Sequence, residues 1–268
     1  MMAELSRLSF NTITLRDQWS LEQCIEGCAR HGIPGISPWR DKLAAYGVER
    51  AARHIRDAGL RVSGLCRGGM FTLPNAIQDN KRAIDEAAAL GADCLVMVVG
   101  GLVPGTKDLA RARGMVADGL AEILPHARAA GVALALEPLN PMTCADRSVL
   151  STTAQALDLA DRLGDGVGVA LDVYHIWWDP QIARDIARAG ARILGFHVCD
   201  WLVPTRDTVF DRGMMGDGAI DIPGLRAQVE AAGYDGLIEV EIMSQLDWWR
   251  RDPDEVLRVI KERFQSAV

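Results

Sequence analysis

The sequence predicts an α/β protein, a (β/α)8 TIM barrel built as a single domain over residues 1–268. Three observations lead there. Apolar strand-like runs alternate with helix-like segments eight times, and strict alternation gives a parallel sheet with right-handed crossovers that eight units close into a barrel. The length of 268 residues, 49% of them hydrophobic, matches one such barrel and supplies its core. No run of proline, serine or like charge divides the chain into two parts. A doubly wound open sheet is the competing arrangement, but it ordinarily uses fewer strands, and no GxGxxG follows the first strand.

The elements follow in order. Residues 9–15 read as the first strand, and Ser20 with Gln23 forms a capping box for a helix over 21–30 that His31-Gly32 closes. A second strand at 33–39 precedes a helix marked by Val48, Ala51, Ala52 and Ile55 at three- and four-residue spacing. Strand three covers 60–66 and leads to a helix over 76–90; strand four covers 94–99 and ends in Gly100-Gly101. A long helix over 107–129 leads to strand five at 132–138, and a helix over 153–163 leads to strand six, whose apolar run Val169-Ala170-Leu171 ends in Asp172. Asp179 as N-cap with Pro180 in the first turn starts the next helix. Strand seven is 193–200, a long loop spans 201–221, a helix covers 223–232, and strand eight is 236–243. The last helix begins at Asp252-Pro253-Asp254-Glu255 with an N-cap, a proline at the first position and a capping-box acid.

Composition narrows the function classes. A formal charge of −7 argues against a nucleic-acid groove, whose phosphates must be met by Lys and Arg, so a neutral or weakly charged small substrate fits better. The start, Met1-Met2-Ala3-Glu4-Leu5-Ser6-Arg7, lacks the basic and apolar parts of a signal peptide, and no apolar stretch approaches membrane-spanning length. A cytoplasmic protein without a membrane partner is expected, and a homo-oligomer is compatible with it. Six cysteines, Cys24, Cys28, Cys66, Cys94, Cys144 and Cys199, form no CxxC pair, which suits buried thiols rather than a zinc ribbon or disulfide framework.

In such a barrel the site is built where strands end. Strand five offers Glu137, strand six Asp172 and His175, strand seven His197 and Asp200, and strand eight Glu239 and Glu241. The remaining histidines, His31, His54 and His126, fall in or at the ends of helices. Three carboxylates plus one imidazole form a mostly hard donor set that suits Mn²⁺, Mg²⁺ or Co²⁺ better than a structural zinc. The plainer alternative is a ring of acids paired with arginines such as Arg67, Arg206 and Arg212. Glu239 and Glu241 share one face of their strand, so periodicity leaves the strand-eight ligand open. Trp39, Trp177, Trp178, Trp201, Trp248 and Trp249 could wall a sugar pocket or pack the helices.

The motifs Leu136-Glu137-Pro138-Leu139-Asn140, Leu171-Asp172-Val173-Tyr174-His175, Phe196-His197-Val198-Cys199-Asp200 and Val240-Glu241-Ile242 resemble those of the xylose isomerase-like TIM barrels, in particular the sugar phosphate isomerase/epimerase group. The resemblance spans essentially the whole chain. It implies one divalent ion, Mn²⁺ first with Mg²⁺ or Co²⁺ as the other fits, held by Glu137, Asp172, His197 and Glu241, with His175 binding substrate oxygens. The family's substrate-binding arginine follows the strand-seven histidine closely, whereas here Arg206 and Arg212 come later in a longer loop; the segment 211–218 looks like the family's loop into the seventh helix and favours Arg212. Two aspartates in that segment make it a poor anion nest, so an unphosphorylated substrate is expected.

The implied activity is that of a metal-dependent isomerase or epimerase acting on a ketose or related keto-polyol through an enediolate. Glu137 and Glu241 would be its proton-transfer pair and Trp177 and Trp248 part of its substrate wall. The same ligands would serve a dehydratase or lyase on an inosose or 3-keto-glycoside. A non-catalytic sugar-binding module and an endonuclease are further alternatives, the latter needing more strand-end histidines than this chain has. The loop over 201–218, with glycines at 213, 216 and 218, is expected to close over the substrate.

Overall fold

The computed structural model describes residues 4–268; residues 1–3, part of the expected domain and of the segment 1–7 read for signal-peptide features, lie outside the described residues. Its strands are β1 (Leu8–Asn11), β2 (Gly35–Ser37), β3 (Arg61–Val62), β4 (Leu65–Gly69), β5 (Leu95–Val98), β6 (Leu134–Leu136), β7 (Val167–Asp172), β8 (Ile193–Val198), β9 (Asp200–Trp201), β10 (Arg212–Gly213) and β11 (Ile238–Val240). Nine of them form one sheet in the order β3-β2-β1-β11-β8-β7-β6-β5-β4. Every pairing in it is parallel.

The two ends of that sheet, β3 and β4, are successive parts of the single expected strand three. The first part pairs with β2 and the second with β5, while the Cys66 N–H donates to the Pro38 carbonyl at 3.1 Å. The strand changes neighbour at Ser63-Gly64, which brings the ends of the sheet together and gives the expected (β/α)8 barrel.

The helices are α1 (Leu21–His31), α2 (Arg40–Tyr46), α3 (Val48–Asp57), α4 (Ala76–Leu90), α5 (Leu109–Ala130), α6 (Thr153–Leu163), α7 (Val173–Ile176), α8 (Ile182–Ala189), α9 (Ile222–Ala231) and α10 (Pro253–Ala267). The capping box of α1 forms in both directions between Ser20 and Gln23, and Gly32 ends the helix at φ +64°, a left-handed conformation that costs glycine little. Asp252 accepts the Glu255 N–H at the start of α10. Such caps are each worth about 0.5–2 kcal/mol.

Three local expectations are corrected. The first strand stops at Asn11, not at residue 15, because the Asn11 side chain accepts the Ile13 N–H and turns 12–15 into a 3-10 helix. Asp179 does not cap α8; its carboxylate accepts the Gln181 N–H at 2.8 Å, closing a turn, and the helix begins only at Ile182. The loop over 201–221 is not free of structure: β9 and β10 pair antiparallel within it.

The main core lies between the sheet and the surrounding helices, while a smaller cluster of Cys94, Val96, Ala135 and Ala170 fills the barrel interior. Strand side chains alternate. The residues two positions beyond Ala135 and Ala170 therefore point to the same interior, at the carboxyl end, and they are Glu137 and Asp172. All six cysteines are free thiols, five of them buried and Cys144 half-buried. No helix among the described residues is long and apolar enough to cross a membrane.

Candidate metal centre

Glu137 lies one residue past β6, Asp172 ends β7, His197 sits near the end of β8, and Glu241 lies one residue past β11. One potential ligand atom from each falls within 4.8 Å of the others. The four are 5%, 0%, 3% and 5% exposed, so water is largely excluded.

Each side chain is held from behind. The Asp172 Oδ1 accepts the Tyr174 N–H at 2.9 Å, which starts α7, and its Oδ2 accepts from Arg212 Nη1 at 2.8 Å. The same Nη1 donates to Glu241 Oε2 at 2.9 Å, and the guanidinium lies 4.5 Å over the Tyr174 ring. His197 Nδ1 is 3.0 Å from Glu137 Oε1, and its Nε2 is 3.9 Å from Glu239 Oε2. A Cβ on Gly195 would come within 3.2 Å of that Nε2, so the missing side chain leaves room for the ring.

Glu239 points deeper into the barrel. Its oxygens accept from Asn11 Nδ2 at 2.6 Å and Ser63 Oγ at 2.8 Å. Asn11 Nδ2 also reaches Glu241 Oε1 at 3.2 Å, linking the two glutamates. The geometry thus separates the strand-eight acids: Glu241 joins the cluster, and Glu239 belongs to a hydrogen-bonded layer beneath it.

The cluster carries more negative charge than its cations offset. Burial pushes the Glu241 carboxyl up to about 7, with Arg212 opposing and Glu137 and Asp172 adding to the rise. Burial likewise raises Asp172 against the pull of Arg212. Burial works against protonation of His197, yet Glu239 and Glu137 raise it to about 10. Buried anions of this kind call for a compensating cation. Three carboxylates and an imidazole with converging donors fit a divalent ion of the Mn²⁺, Mg²⁺ or Co²⁺ class.

An ion bound here needs neutral His197 and ionised carboxylates. Uptake at about pH 8 should therefore release the His197 proton, and affinity should fall as the pH drops below about 10 and more steeply below about 7, where Glu241 also takes up a proton. Calorimetric titration in buffers of different ionisation enthalpy measures both; uptake without proton release and independent of pH would contradict the donor set.

The structure also brings His175 and Arg212 to the cluster. His175 Nδ1 accepts the Asn140 N–H at 3.1 Å, and its Nε2 is 3.2 Å from Arg212 Nη2. Burial first, then the charges of Arg212 and Arg147, hold its pKa well below the ordinary range, so the ring is neutral. Arg212 is 1% exposed and does not sit on a solvated turn with its neighbouring aspartates. Arg206, the other candidate, turns away to Asp211 at the protein edge.

Trp177 lies beside the site on the turn after α7, its ring 5.8 Å from that of Trp201. Trp248 is packed in the main core with the Arg251 guanidinium 4.0 Å over its ring. Asp200 accepts the N–H groups of Trp201, Gly216 and Ile220, and the Arg212 N–H donates to the Met243 carbonyl. The long loop is therefore tied across the mouth rather than hinged freely over it. Nothing in the sequence marks Asn11 or Tyr174 as a site residue: Asn11 falls inside the expected strand 9–15, and only the structure puts it at the end of β1.

Comparisons with known proteins find the same barrel fold. The family model described as xylose isomerase-like TIM barrel matches residues 25–262. Inosose isomerase of Bacillus velezensis is 25% identical over 282 aligned positions, which cover 98% of this chain and 97% of that one. The crystal structure of protein SMc04130 from Sinorhizobium meliloti 1021 superposes with a TM-score of 0.97 at 54% identity, covering 98% of this chain and 99% of that one. The IolI protein solved with a zinc atom shares the fold, with a TM-score of 0.85 at 23% identity and 98% of each chain covered.

Proposed function

The chain belongs to the xylose isomerase-like TIM barrel family, and on that premise we propose that it is a divalent-metal-dependent isomerase or epimerase of a ketose or related keto-polyol, working through an enediolate. The observation that carries this reading is the buried convergence of Glu137, Asp172, His197 and Glu241 at the carboxyl end of the barrel. The inosose isomerase relative supports a keto-polyol substrate. Mn²⁺ is the ion we favour.

A divalent ion at this centre supplies Lewis-acid polarisation of a ketone and its neighbouring hydroxyl. The protein supplies the proton movements. Glu137 spends Oε1 on His197 and makes no hydrogen bond through Oε2 among the described residues, which leaves that oxygen to remove the proton from the carbon beside the carbonyl. Glu241 is steadied by Asn11 and Arg212 and would return a proton from the other side, which inverts the carbon.

His175 and Arg212 orient the hydroxyl groups, Trp177 faces the carbon skeleton, and Trp248 stands in the wall behind. Return of the proton to the former carbonyl carbon gives isomerisation instead. Loss of a β-substituent gives the dehydratase or lyase outcome.

Deuterium exchange tests the shared first step. With Mn²⁺, Mg²⁺ or Co²⁺ supplied, at least one of a panel of free ketoses, inososes and 3-keto-glycosides should take up solvent deuterium beside its carbonyl, and chelation should stop it. A metal-loaded protein that exchanges none of them would reject the proposal, and product analysis separates the three outcomes.

A further inference from the structure

Two arginines beside the metal centre have no side-chain partner among the described residues. Among the described residues, the other half-buried arginines, Arg7, Arg40, Arg192, Arg226, Arg251 and Arg263, each hold a carboxylate. The side chains of Arg67 and Arg147 are also half-buried, yet neither makes a hydrogen bond or an ion pair among the described residues. Arg67, in β4, lines a cleft of about 310 Å³ at the barrel mouth with Trp39, Cys66 and Met70.

Arg147 lies on the loop after β6, where its carbonyl accepts the Gly100 N–H at 3.1 Å, just past β5 and so next to the end of β4. Burial first, then the like charges of Arg212 and Arg67, hold the Arg147 guanidinium below its ordinary range. Like charges gathered in a partly dry site repel unless an anion enters.

We infer that Arg67 and Arg147 form an anion-recognition site beside the metal centre, so that the substrate is a keto-polyol carrying a carboxylate or phosphate group. The substrate half of this inference rests on the proposed function; the anion site does not. Once a divalent ion is in place and His197 is neutral, that ion and the three guanidiniums of Arg67, Arg147 and Arg212 outweigh the carboxylates of Glu137, Asp172, Glu239 and Glu241. Positive charge is then left facing the mouth.

The cleft's own acids do not cancel it. Asp79 is taken by Arg40 and Arg82, and Asp41 is exposed and caps the Lys42 N–H. Arg212 touches the ligand carboxylates directly, whereas Arg67 and Arg147 do not, which argues against their serving only to neutralise the acids. The expectation of an unphosphorylated substrate came from the aspartates of the segment 211–218, whereas Arg67 lies on β4 and Arg147 on the loop after β6.

Calorimetric binding to the Mn²⁺-loaded protein tests the site with glucitol, gluconate and glucitol 6-phosphate as probes. Gluconate or the phosphate should bind at least about tenfold tighter than glucitol, and whichever does so identifies the anion. In the Arg67→Gln/Arg147→Gln double variant that preference should fall by about 10–100-fold, with glucitol binding, metal content and Tm unchanged.

Equal binding of all three probes, no binding of either anion, or an equal loss for all three in the variant would overturn the inference. Exchange measurements keep the two proposals apart. Deuterium exchange into fructose with no preference for fructose 6-phosphate or 5-ketogluconate would reject the anion site and keep the proposed function. Arginine-dependent anion binding with no exchange on any substrate would do the reverse.

Discussion

Glu137→Gln should reduce deuterium exchange into the substrate by about 10²–10⁴-fold, the range expected for a positioned general base, while leaving the barrel folded. The change is nearly isosteric. The introduced amide keeps an oxygen where Glu137 Oε1 meets His197 Nδ1 at 3.0 Å, so the contact across the cluster can persist. What disappears is the carboxylate oxygen without a protein partner, the atom that would receive the proton. Because Glu137 is also placed among the ion's donors, metal content must be measured on the same sample. Exchange within about tenfold of the wild type, with the ion still bound, would remove Glu137 from the proton-transfer role.

Asp172→Asn should weaken uptake of the divalent ion by more than about 100-fold, since even residues behind a ligand contribute about 10–100-fold. The introduced amide oxygen can still accept the Tyr174 N–H that Oδ1 holds at 2.9 Å, so the start of α7 survives. Arg212 loses one partner but keeps Glu241 at 2.9 Å. Its charge is not orphaned, and the loss of stability should stay below the 3–5 kcal/mol, roughly, of a broken buried pair. Competition with a chelator measures the affinity and thermal unfolding the fold. Unchanged affinity in Asp172→Asn would remove the residue from the ligand set.

What the amino-acid sequence determined by itself was periodic and local. Alternating apolar runs and helix signals define eight strand-helix units because each pattern depends on residues a few positions apart. The same alternation sends Glu137 and Asp172 to the interior face after Ala135 and Ala170. Caps such as Ser20 with Gln23 are legible because both partners lie within one turn.

The tertiary structure decided everything that depends on depth or on a distant partner. Period two puts Glu239 and Glu241 on one face but does not say which reaches the mouth. That is settled by Ser63 and Asn11, 176 and 228 residues from Glu239, which hold it below while Glu241 turns to Arg212. Arg212 looks like a loop residue beside two aspartates, yet it is buried against Asp172, 40 residues away. The division of strand three at Ser63-Gly64 likewise follows from two different neighbouring strands. A sequence pattern constrains which face a side chain shares with its neighbours; barrel closure sets how deep it lies and which charges meet it there.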